Sequence, residues 1–63
     1  MNIRNFLREN RLTLVWLQEQ LARRGYTVEM SHLCRILDGE RNSDAAVEIR
    51  SACEAVCRKY SDM

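Results

Sequence analysis

The chain has 63 residues, ten basic and nine acidic, a net charge of +1, and is 46% hydrophobic and 30% charged. That length holds one small domain, which buries only roughly 60% of its unfolded surface, and leaves no room for a barrel, a doubly wound sheet or a deep substrate cleft. The charge balance excludes a polybasic binder and an acidic mimic of nucleic acid, and the composition is that of a globular domain, not a disordered tail.

Proline is absent and only Gly25 and Gly39 interrupt the chain, so a bundle of helices is expected. The first helix spans about Asn2 to Asn10, on an apolar stripe of Ile3, Phe6 and Leu7. Asn10-Arg11 breaks the pattern, and Leu12 should fold back into the core. Thr13 is a suitable cap for a second helix whose Leu14, Leu17 and Leu21 recur at spacings of three and four. Its polar face is Gln18, Glu19, Gln20 and Arg23. Gly25 stops it, and Arg23-Arg24 complement the negative dipole end, or else approach phosphate through the turn. Trp16 reads as core or an exposed apolar patch in preference to a base-stacking platform.

A third helix is expected from about Val28 to Asp38, capped by Thr27 or its neighbour. Its inner stripe is Met30, Leu33, Ile36 and Leu37, and Ser31, His32 and Arg35 face outward. Gly39 is free to take a left-handed cap. After the polar loop Glu40-Arg41-Asn42, Ser43 caps a last helix running to about Tyr60, with Asp44 in its first turn. Ala46, Ile49, Cys53, Val56 and Tyr60 form its seam, flanked by Val47, Ala52 and Cys57, with Arg50, Glu54, Arg58 and Lys59 on the wet side.

Three short helices, a tight link and a polar-faced third helix before a Gly turn suggest a helix-turn-helix. Thr13-Leu14-Val15-Trp16-Leu17-Gln18-Glu19-Gln20-Leu21 and Ser31-His32-Leu33-Cys34-Arg35-Ile36-Leu37-Asp38-Gly39-Glu40-Arg41 carry the resemblance. Together they resemble the Cro and lambda-repressor-like family, the xenobiotic-response-element class of bacterial and phage regulators. That family tends to read T, three residues, L-A-E-x-L, and then S-x-L-S-x-I-L-N-G-x-R. The resemblance covers about Ile3 to Asn42. It departs at Gln18, where the family usually has a small residue, and at Leu14, where the family often has a Gln that touches phosphate. About three extra residues also lie around Arg23-Arg24-Gly25-Tyr26.

The resemblance implies an all-α, compact four- to five-helix lambda-repressor-like domain over residues 1–63, with the motif at about 13–38 and a packing or dimerisation helix at about 44–60. It implies a sequence-specific duplex-DNA binder and transcriptional regulator, a repressor of phage or mobile-element type. Ser31, His32 and Arg35, with Glu29 and Met30 at the leading end, would meet the major groove. Arg35 is the residue able to grip guanine O6 and N7 with two bonds, unless it pairs with Asp38 or Glu40. Arg41, Asn42 and Arg11 would meet phosphate. A charge of +1 favours two copies on one palindromic site, with Val56, Cys57 and Tyr60 as homodimer contacts.

The alternative is a protein-interaction module on the same scaffold, without DNA binding. Arg11, Arg35 and Arg41 clustered on one face would favour DNA. Neutralisation of that face by Glu29, Asp38 and Glu40 would favour the module. Cys34, Cys53 and Cys57 are odd in number, and the opening MNIRNFLREN has no apolar leader, so a reducing cytoplasm (bacterial cytoplasm or nucleoid) without disulfides is expected. No apolar run reaches the ~18–20 residues of a membrane span. His32-x-Cys34 with Cys53-xxx-Cys57 matches no common zinc spacing, and no orienting group or oxyanion hole accompanies a Cys–His pair. No metal, cofactor, small-molecule substrate or enzymatic activity is therefore expected.

Overall fold

The computed structural model describes residues 1–62. Within them the chain forms four helices: α1 (Ile3–Glu9), α2 (Leu14–Arg23), α3 (Met30–Leu37) and α4 (Asp44–Ser61). No strand occurs among the described residues. The Cα radius of gyration is 10.7 Å, against the ~10.6 Å expected of a packed chain of this length.

Three helices start on side-chain caps, which satisfy backbone N–H groups that the first turn leaves free. Asn2 Oδ1 accepts from the Asn5 N–H at 3.0 Å, Thr13 Oγ1 from Trp16 at 3.0 Å and Ser43 Oγ from Ala46 at 3.2 Å. The third start differs from the expectation. Thr27 caps nothing; α3 begins two residues past Val28, on Glu29, whose side chain makes no capping bond. The reason is Val28. It is drawn into the core from the non-helical link, 6% exposed, and the helix starts beyond it.

Three helices also end alike. At each end the third residue past the helix donates back to the helix's third-last carbonyl, and the residue before it adopts a left-handed conformation. The bonds are Leu12 to Leu7 (2.8 Å), Tyr26 to Leu21 (2.9 Å) and Glu40 to Arg35 (3.0 Å). Each is accompanied by a shorter loop: Arg11 to Arg8, Gly25 to Ala22 and Gly39 to Ile36. This is the Schellman closure, in which glycine is the usual left-handed residue. Gly25 (φ +93°) and Gly39 (φ +81°) conform, whereas Arg11 adopts φ +56° with a full side chain.

α4 packs against all three other helices, and α2 packs against α3. Leu17, Leu21, Leu33, Ile36, Cys53 and Cys57 are completely buried. Ile3, Leu7, Val28 and Val56 close the core around them. The expected seam on α4 is present, but Val47 points outward at 48% exposure. Phe6, Trp16 and Tyr60 interlock edge to face. Tyr60 lies 6.0 Å from Phe6 and 5.5 Å from Trp16 between ring centroids, a favoured arrangement for aromatic pairs. Among the described residues no helix is long and apolar enough to cross a membrane.

Candidate nucleic-acid interface

The interface begins with how α3 divides its residues. Leu33 and Ile36 are fully buried, and Met30 and Leu37 pack against the same core. Ser31, His32 and Arg35 lie on the opposite side, exposed. The eight-residue helix is thus apolar on one face and polar on the other, as a 3.6-residue period requires. Met30, expected to help lead the groove face, belongs to the inner one. Glu29 remains exposed at the helix start.

Both ends of α3 are held by side chains that the sequence pattern had assigned to solvent. At the start, Gln18 on α2 donates from Nε2 to the Val28 carbonyl oxygen at 2.7 Å. Gln18 therefore does not belong to an outer polar face; it is half-buried and spans the elbow between α2 and α3. At the finish, Arg50 on α4 donates from Nη2 to the Ile36 carbonyl oxygen at 2.9 Å and to that of Arg41 at 3.0 Å. Arg50 also leaves the wet side. A cation on terminal carbonyls offsets the negative end of the helix, and here the same group pins the loop that follows.

A further tie joins the end of α3 to α1. Arg4 Nε lies 2.8 Å from Asp38 Oδ1, and the aligned hydrogen bond runs from Nη2 to Oδ2 at 3.3 Å. Asp38 is thereby engaged by Arg4. Arg35 has no ion-pair partner among the described residues, and neither do Arg11 and Arg41. Arg41 and Asn42 are exposed, but Asn42 is partly committed. Its Nδ2 donates to the Gly39 carbonyl at 3.2 Å and its Oδ1 accepts from Arg50 at 3.5 Å. Asn42 closes the turn after α3.

The three expected pairing residues fare differently. Val56 is 5% exposed and Cys57 0%. Both are consumed by the chain's own core and offer no surface to a second copy, because α4 must cover three helices and its inward stripe is correspondingly wide. Tyr60 alone stays partly exposed. Burial pushes the Cys53 thiol up to about 12, helped by Cys57 beside it, and burial also raises Cys57. All three cysteines are free. His32 is exposed on α3 while Cys53 and Cys57 are in the core, so the His and Cys residues of the sequence do not converge. Among the described residues no group of three or more His, Cys, Asp and Glu side chains is placed to hold a metal ion.

No protein-family model, curated protein or solved structure matches the chain.

Proposed function

We propose that the chain binds duplex DNA in a sequence-specific manner as a helix-turn-helix transcriptional regulator, with α2 and α3 as the motif and α3 in the major groove. The observation that carries this reading is the outer face of α3. Ser31, His32 and Arg35 are exposed together, with no carboxylate paired to Arg35, on a helix fixed at both ends by Gln18 and Arg50. A major groove admits one helix, and a guanidinium there can fork onto guanine O6 and N7. Arg11 and Arg41, without an ion-pair partner among the described residues, add cations for phosphate, which position a domain without reading sequence.

The competing reading, an interaction module without DNA binding, requires carboxylates to neutralise that face. Asp38 is instead drawn to Arg4, and neither Glu29 nor Glu40 is ion-paired with Arg35 among the described residues. The regulator acts by occupancy, as a repressor of phage or mobile-element type. With a net charge of +1, two copies on one palindromic site would add their phosphate contacts, without contacts from Val56 or Cys57.

The decisive experiment is selection of bound duplexes from a random-sequence pool, followed by affinity measurement against salt. The expected result is an enriched consensus and a log–log slope of about −0.9 for each phosphate neutralised. No enrichment together with a slope near zero would overturn the proposal.

A further inference from the structure

A second surface, away from the outer face of α3, lies between α2 and α4. It is an open cleft of about 620 Å³. Trp16, Val56 and Tyr60 line it together with Gln20, Arg23, Arg24 and Lys59. No carboxylate lines it among the described residues. Arg23, Arg24 and Lys59 are exposed and have no ion-pair partner there.

Helix ends account for part of this charge. Arg23 sits in the last turn of α2 and Lys59 in the last turn of α4. Each helix end carries roughly half a negative charge. Two such ends offset about one of three full cations, so the cleft keeps a surplus of roughly two positive charges. The dipole ends also give no reason for two aromatic side chains to share the cleft with the cations.

We propose that this cleft docks an acidic segment of a partner protein. One apolar or aromatic side chain would rest on Trp16 and Tyr60. Carboxylates on either side would meet the forked guanidinium groups of Arg23 and Arg24 and the Lys59 ammonium. Arginine matches a carboxylate with two parallel bonds, and a half-buried aromatic anchor ringed by polar contacts is the usual anatomy of a small binding hot spot. A second copy of the chain fits poorly, because a symmetric pairing would set the same three cations against each other. Single-stranded nucleic acid also fits less well. It needs open ring faces for successive bases, whereas Trp16 and Tyr60 meet at 77° and Tyr60 is locked by Phe6 on another edge.

The test is a random peptide display library selected on the whole chain, with the Arg23→Glu/Lys59→Glu double variant as counter-selection. Retained helical circular dichroism checks the fold of that variant, and Arg24→Glu provides a separate single-charge variant. The expected winners combine carboxylates with an aromatic or aliphatic residue. As synthetic peptides they shift the emission of Trp16, the chain's single tryptophan. They bind the double variant roughly tenfold more weakly, with the loss shrinking in high salt. Winners without carboxylates, or binding to both charge variants as tight as to the unaltered chain, would overturn the proposal. So would tighter binding of an oligothymidine that the same substitutions abolish, or self-association of the chain that they abolish.

Discussion

The Gln18 side-chain amide reaches across the α2–α3 elbow and donates to the Val28 carbonyl oxygen at 2.7 Å. The link between α2 and α3 and the residue at position 18 are therefore two parts of one arrangement. Six residues, 24–29, separate the helices, and an amide long enough to cross that gap fastens the far side. Gln18→Ala removes the donor and leaves a part-buried carbonyl unpaired, at a cost of about 1–3 kcal/mol. Urea unfolding measures that cost. A change within experimental error would mean that the bond does not hold the elbow.

Arg35 and Arg41 should separate cleanly in DNA binding. Arg35→Ala is expected to cost ~1–3 kcal/mol on the selected site and to relax the base preference opposite it. Arg41→Ala should weaken all sequences alike and lower the salt slope by about one. Competition binding on the selected site and on scrambled duplexes reads both. Uniform loss for Arg35→Ala would remove its base-reading role.

Arg11 supports a prediction with two opposite signs. A non-glycine residue in the left-handed region costs roughly 1–2 kcal/mol, and Arg11 adopts φ +56° where the other two helix ends place glycine. Arg11→Gly should therefore raise stability by about 1 kcal/mol, somewhat less than the relieved strain because glycine gains freedom in the unfolded chain. The same substitution removes an exposed cation and should weaken DNA binding at low salt. Thermal unfolding and a salt titration on one preparation decide the matter. Higher stability with unchanged affinity would confine Arg11 to a structural role.

Alkaline pH should expose the buried thiols. Cys53 rises from an ordinary value of 9.0 to about 12 through burial first and the neighbouring Cys57 second. Tyr26 also rises, because its hydroxyl donates to Glu48 Oε1 at 3.0 Å. A thiol whose folded value is raised loses its proton more readily in the unfolded chain. Its contribution is thus fully present below pH 9 and is lost as pH climbs toward 12, with a slope of at most about 1.4 kcal/mol per pH unit for one group. Denaturant titrations across that window should show the decline, and Cys53→Ala should make it shallower. An unchanged slope in the variant would assign the decline to other groups.

What the sequence disclosed follows from how local each signal is. Leu17, Leu21, Leu33 and Ile36 recur at helical spacing, and all four are fully buried. Thr13, Ser43, Gly25 and Gly39 act within four residues of themselves, and each does what its type suggests. Gln18 and Arg50 were legible only as polar side chains on helices, because their partners lie ten and fourteen residues away and are backbone oxygens. A carbonyl leaves no trace in residue type. The start of α3 differs from the expectation because Val28 has the polarity of a helix's inner stripe but enters the core from the non-helical link before it. Val56 and Cys57 were read as available for pairing because periodicity marks an apolar stripe without counting how many helices will cover it. Arg11 was hidden by its identity, since nothing about arginine announces a left-handed bend.

The shared closure of α1, α2 and α3 also bears on how the chain folds. Each of these helices carries its own stop signal, formed from residues within five positions of one another. Their lengths and exit directions can be set before any distant part of the chain arrives. α4 is different: it comes last in sequence and packs on all three. Local helix formation followed by docking of α4 is the expected order of assembly, and a predominance of local contacts belongs with the microsecond-to-millisecond folders. Removing α4 would leave segments still able to turn at the same places, with mainly the α2–α3 contact left to hold them together.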